Sequence, residues 1–162
     1  EYGGKVVWTK VGSTIVSRKM LEVNAKLGGE ENGGVFYGPH LAVRDGAMTS
    51  ALIVEILAKT RKKFSRLVKG LPTYYIQKDK VQCPNQVKQK VLERLLKETR
   101  EDRVETVDGV KIWFTDKSWI LIRPSGTEPI YRLYSEAKTR SKTMNLISKY
   151  KFTMKHLIKN TH

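Results

Sequence analysis

The stretch from Arg103 to Ala137 constrains the fold more tightly than any other part of this chain. "RVETVDGVKIWFTDKSWILIR" carries three strand-like runs. Asp108-Gly109 and Asp116-Lys117-Ser118 fall between them as turn signals at hairpin spacing. A loop of at most seven residues, "RPSGTEP" (Arg123–Pro129), then leads into a further strand, "IYRLYSEA". An amphipathic helix flanks the run on each side. "NQVKQKVLERLLKETRE" (Asn85–Glu101) sets Val87, Val91 and Leu95 on one face, and "KTMNLISKYKFTMKHLIK" does the same with Leu146, Ile147, Tyr150, Met154, Leu157 and Ile158. Residues 85–162 therefore read as an α+β layer, an antiparallel sheet covered by helices.

The first half has a different pattern. "KVVWTKVGSTIV" (Lys5–Val16) is β-branched and reads as a strand, a turn near Gly12, then extended chain or a helix start. "GGEENGG" (Gly28–Gly34) has four glycines in seven residues and reads as a loop, and "VFYG" as a short strand. "RDGAMTSALIVEILAKTRKKFSRLV" reads as a helix, with Asp45 as N-cap, Met48, Leu52, Ile56 and Leu57 at helical spacing, and Gly70 and Pro72 ending it. "LPTYYIQKDKVQCP" has two prolines and no clear period, and reads as a connector. The expected organisation is a partial α/β domain over 1–71, a connector over 72–84 and a C-terminal α+β domain over 85–162.

Composition narrows the function. With 40% apolar and 29% charged residues the chain can build a packed core. No apolar run approaches the roughly 18 residues a membrane span needs. One cysteine, Cys83, excludes an internal disulfide and fits a reducing, cytoplasmic setting. The chain opens on Glu1 without a signal-peptide pattern, as a piece of a longer protein would. Net charge is +15, much of it from Lys59–Lys69, with six basic residues and no acid, and from Lys138–His162, with seven and none. Such a field attracts polyanions. Little aromatic interleaving and no nucleic-acid motif favour a solvated surface or a role toward small anions.

Arg123, Ser125, Gly126 and Thr127 supply what a phosphate cradle uses: a charged fork, hydroxyl donors and a backbone open to close approach. The plainer reading is a hairpin turn, but an arginine ending an apolar strand needs a partner. Arg132 either neutralises the same anion or pairs with Glu128 or Glu136. The carboxylate and carboxamide of Glu30 and Asn32 suit sugar hydroxyls, although composition alone favours a mobile turn. Trp8, Trp113 and Trp119 are expected in or near the core. His40, His156 and His162 stand apart, so no metal site is expected. Cys83 has no neighbouring base, and no catalytic motif is found.

"GGEENGG" followed by "VRDGAMTSALIVEILA", and later "RPSGTEPIYRLYSEA", resembles the phosphohexomutase family of phosphoglucomutases, phosphomannomutases and phosphoglucosamine mutases. The resemblance covers essentially the whole chain. It implies the later part of a third domain and all of a fourth, in a four-domain enzyme. Such an enzyme interconverts hexose 1- and 6-phosphates through a phosphoserine and a bisphosphorylated sugar, with magnesium on an Asp-rich loop. This chain has neither a "SHNP" serine loop nor a "DGDGDR" metal loop, so the resemblance implies no catalytic residue and no metal in it.

By the same resemblance Glu30 matches the family's sugar-hydroxyl carboxylate. Asn32 stands where many relatives have Ser, and Gly34 where many have His. Arg123, Ser125, Gly126 and Thr127 match the phosphate loop, and Arg132 the arginine beyond it. The implied partners are a phosphorylated hexose and the preceding domains of the same protein, with no membrane. The alternative is a non-catalytic basic module for nucleic acid or another polyanion; a third possibility is a regulatory paralogue that binds phosphosugars.

Overall fold

The computed structural model describes residues 3–100 and 103–161. They form two compact units, Glu1–Pro72 and Thr73–His162. Glu101 and His162 lie outside the described residues.

The second unit has the layered form that its pattern predicts. Its strands are β4 (Tyr75–Gln82), β5 (Arg103–Glu105), β6 (Val110–Trp113), β7 (Trp119–Pro124) and β8 (Ile130–Ala137) in this chain's numbering. They pair antiparallel in the order β4-β8-β7-β6-β5. Helices α4 (Lys88–Glu98) and α5 (Arg140–Lys159) cover one face. Along β8 burial alternates, with Tyr131, Leu133, Ser135 and Ala137 toward the helices and Arg132, Tyr134 and Glu136 on the other face. Val91 and Leu95 of α4 and Met154 and Leu157 of α5 meet Ile112, Ile120, Ile122 and Leu133 in the core. Val87 belongs to a 3-10 turn, Asn85–Val87, ahead of α4.

Both hairpin turns form where expected. Gly109 takes φ 93° between β5 and β6, and Lys117 takes φ 64° between β6 and β7. Asp116 accepts from the Ser118 N–H at 3.0 Å and from its hydroxyl, with the Lys142 ammonium at 3.1 Å. These donors hold its carboxyl down to about 2. A carboxyl lowered on folding stabilises above its unfolded value, and that contribution disappears as pH falls through the folded one. In urea melts between about pH 5 and pH 2, the parent is expected to lose its advantage over Asp116→Asn as pH drops; parallel curves would refute the turn's role. The effect is small, because half of the Asp116 side chain is exposed.

The stretch 72–84 is not the expected connector. Tyr75–Gln82 is an edge strand paired with β8 along its full length, from Tyr75 opposite Ala137 to Gln82 opposite Ile130. Only Val81 of that strand is buried, so its sequence lacks the apolar alternation that marks a strand.

The first unit is less closed. Helix α1 (Ser13–Glu22) packs Val16 and Met20 against Phe36 and Ala42 of a small antiparallel sheet, β1 (Leu27–Gly29), β2 (Val35–Tyr37) and β3 (Leu41–Arg44). Lys5–Lys10, expected as a strand, pairs with no strand among the described residues, and Trp8 is 56% exposed instead of core. A β-branched run becomes a strand only beside a partner. Asp45 caps α2 (Gly46–Thr60), accepting from the Met48 N–H at 2.9 Å. The expected single helix breaks at Arg61, in left-handed conformation, and resumes as α3 (Phe64–Lys69). No residue of α2 is fully buried: Met48, Leu52 and Leu57 are half-buried, while Ile53, Val54 and Ile56 are exposed. No described helix is long and apolar enough to cross a membrane.

Candidate phosphate and sugar sites

The loop between β7 and β8 is built for shape more than for packing. Ser125, buried, donates its N–H to the Ile130 carbonyl at 3.0 Å, while its Oγ accepts from the Glu128 N–H at 3.2 Å. The Cys83 N–H donates to the Pro129 carbonyl at 2.8 Å. Between these ties Gly126 and Thr127 stand exposed, and neither their N–H groups nor the Thr127 hydroxyl has a partner among the described residues. A Cβ added to Gly126 would meet nothing within 4 Å, so the space before the loop is open.

Strand register adds the charge. Arg123 of β7 lies directly opposite Arg132 of β8, which lies directly opposite Lys80 of β4. Three cations thus form one transverse row on the face away from the helices. Like charges directly opposite one another are destabilising unless something neutralises them. Glu128 partly does so, holding Arg132 at 2.6 Å, which is the pairing weighed against an anion role for that arginine. Arg123 is less well served. Its side chain is 17% exposed and its Nε lies 3.3 Å from the Asp108 carboxylate, yet that Nε is a buried donor without a hydrogen bond. Lys78, Lys80, Arg132, Tyr134 and Glu128 line a shallow groove beside the row.

The sugar candidates sit in the first unit. Gly28 and Gly29 belong to β1, so the turn proper is Glu30–Gly34, closed by Glu30 N–H to Gly34 O at 2.9 Å. Asn32 Oδ1 accepts from the Gly34 N–H at 3.2 Å and braces the turn. Glu30 is not on a mobile tip: its side chain is 11% exposed and lies 3.5 Å from Arg44 Nη1. Its Oε2 is buried without a hydrogen bond. A Cβ at Gly34 would approach Arg44 Cδ to 2.5 Å, so the arginine stem occupies the space a larger residue would take.

Two cations escaped sequence reasoning. Lys80 was hidden in the supposed connector, and only the register of β4 reveals it. Lys88 of α4 reads as a helix-surface lysine, but its ammonium donates to the Ser125 and Glu128 carbonyls of the loop. Of the remaining features, Cys83 is buried, which pushes its thiol up and keeps it protonated. Trp113 and Trp119 enclose Lys111, whose ammonium lies 4.4 and 4.2 Å from the two rings. Burial there pulls the Lys111 ammonium down from its ordinary value.

Comparison with known proteins follows the same division. Residues 1–75 match the family profile described as phosphoglucomutase/phosphomannomutase, alpha/beta/alpha domain III, and residues 80–149 match the profile of the C-terminal domain. A phosphoglucomutase/phosphomannomutase of Thermococcus kodakarensis is 51% identical over 86% of this chain and 31% of its own length. A phosphoglucosamine/phosphogalactosamine mutase of Sulfurisphaera tokodaii is 42% identical over 93% of this chain and 34% of its own. The crystal structure of a phosphoglucomutase/phosphomannomutase family protein from Burkholderia thailandensis superposes with a TM-score of 0.81 at 28% identity, covering 99% of this chain and 34% of that one. The chain therefore spans about a third of the length of the relatives it matches.

Proposed function

We propose, for a chain that belongs to the phosphoglucomutase/phosphomannomutase family, that it supplies the substrate grip of a phosphohexomutase: Arg123, Ser125, Gly126, Thr127 and Arg132 for phosphate, Glu30 and Asn32 for sugar hydroxyls. The observation that carries this reading is the placement of polar atoms that are buried, ion-paired and without a hydrogen bond. Among the described residues three side-chain polar atoms are buried without a hydrogen bond, and two of them are Arg123 Nε and Glu30 Oε2. Folded proteins rarely leave such groups unmatched, because each costs the desolvation it does not recover. A phosphate oxygen would match the first, and a sugar hydroxyl the second.

A mutase must hold its substrate in two opposite poses. A phosphate grip indifferent to the sugar, combined with a turn that reads hydroxyls present in both poses, meets that requirement. Binding energy at the phosphate that does not react then positions the one that does. The whole enzyme's reaction is proposed to run through a phosphoserine and a bisphosphorylated sugar. Magnesium would offset charge on the moving phosphoryl group. The sequence carries neither the serine-loop nor the Asp-rich metal-loop motif of the family, so the part proposed for this chain is binding.

The purified 162-residue chain is accordingly expected to show saturable amide shifts at Ser125, Gly126 and Thr127 on addition of a hexose phosphate, and no turnover in a coupled mutase assay. Turnover from material free of host enzyme would sink the assignment. A second reading, a polyanion-binding module, draws on the basic concavity lined by Arg61, Lys62, Lys63, Arg66 and Lys69. Competition decides between them: oligonucleotide binding that millimolar hexose phosphate leaves untouched would favour the second.

A further inference from the structure

We infer that Lys88 is a positioning residue for the phosphate loop, a role that rests on the phosphate-grip reading of that loop. The Lys88 ammonium donates to the Ser125 carbonyl at 2.8 Å and to the Glu128 carbonyl at 2.5 Å. Those two residues bracket Gly126 and Thr127, the pair with open N–H groups. In a planar trans peptide the C=O and the following N–H point in opposite directions. By holding the Ser125 carbonyl back, Lys88 turns the Gly126 N–H forward, toward the open side of the loop. The lysine is itself anchored, since the Tyr131 hydroxyl donates to its carbonyl. Tyr131 is fully buried in the core at the start of β8. A helix start, a loop and a strand are thereby locked together across sequence separations of 37, 40 and 43 residues. The lysine also places a positive charge behind the loop, which favours an anion in front of it.

An ordinary tether would stabilise the fold without affecting ligand affinity, and the two roles separate experimentally. The test titrates inorganic phosphate and glucose 6-phosphate into the labelled 162-residue chain, into Lys88→Met and into Lys88→Arg, with melting curves and amide exchange for each. Lys88→Met is expected to weaken phosphate on the order of tenfold, as loss of charge-assisted hydrogen bonds does. Exchange should quicken at Gly126 and Thr127 while β8 amides keep their protection. Lys88→Arg should recover part of the affinity, since it can still donate to a loop carbonyl. Equal affinity in the parent and Lys88→Met would overturn the lysine's role and leave the loop reading standing. No saturable shift in the parent would overturn the loop reading, and this inference with it. Should Lys88→Met fail to fold, Lys88→Arg decides: parental melting with reduced affinity and quicker exchange at Gly126 and Thr127 would support positioning, whereas parental affinity and exchange, or affinity lost only in step with unfolding, would overturn it.

Discussion

Replacing Arg123 with alanine is expected to weaken phosphosugar binding by about 1.5–3 kcal/mol, the usual worth of a charge-assisted hydrogen bond, with little loss of stability. The second half of that expectation comes from register. Arg123 faces Arg132 across the sheet, so removing it relieves a like-charge opposition while giving up a single ion pair with Asp108. The stability change should stay within about 1 kcal/mol. Arg123→Lys should recover only part of the binding, because a point charge does not reproduce the planar fork. Calorimetric titration with a hexose phosphate, alongside melting curves for both variants, reads the two quantities separately. Unchanged affinity in Arg123→Ala would remove this loop from the site. A collapse of stability with parental affinity in the folded fraction would make the arginine structural.

A large loss of stability is expected at Gly109. Its φ of 93° is one that side-chain-bearing residues rarely adopt. A Cβ there would stand 2.4 Å from the Ile122 carbonyl oxygen and 2.8 Å from Arg123 Cα. Gly109→Ala should therefore destabilise the second unit by about 1–3 kcal/mol from the backbone conformation alone, with the clash added. Because the obstructed atoms belong to β7 beside Arg123, phosphate affinity should fall as well. Gly109→Asn separates the contributions, since asparagine tolerates positive φ yet still carries a Cβ; it should recover the conformational part and keep the clash. Urea unfolding measures this directly, and an alanine variant as stable as the parent would refute the hairpin geometry.

Where sequence and structure agree, the determining interactions are local. Leu146, Ile147, Tyr150, Met154 and Leu157 recur at helical spacing because one face of α5 is buried, and that spacing is visible without the fold. Gly109 and Lys117 occupy turns whose flanking residues announce them. The loop residues Arg123, Ser125, Gly126 and Thr127 fall within five consecutive positions, so their composition alone suggests a cradle. Disagreements arise where a residue's state depends on a distant neighbour. Tyr75–Gln82 is a strand because β8 offers it an edge, and Lys5–Lys10 is not one because no described strand does.

The site divides along the same line. Chain order by itself determined the chemistry of the proposed phosphate loop: which donors it contains, and that they follow an apolar strand. Only the tertiary structure decided its charge and its shape. It set Lys80 and Arg132 in a row with Arg123 through antiparallel pairing, and it brought Lys88 across 37 residues to the Ser125 carbonyl. It also left Glu30 Oε2 and Arg123 Nε buried, each beside an opposite charge but without a hydrogen bond. Local propensity acts over a few residues and leaves its mark in their order. Cross-strand register and desolvation depend on which surfaces meet, and that is settled only when the sheet closes and its helices cover one face.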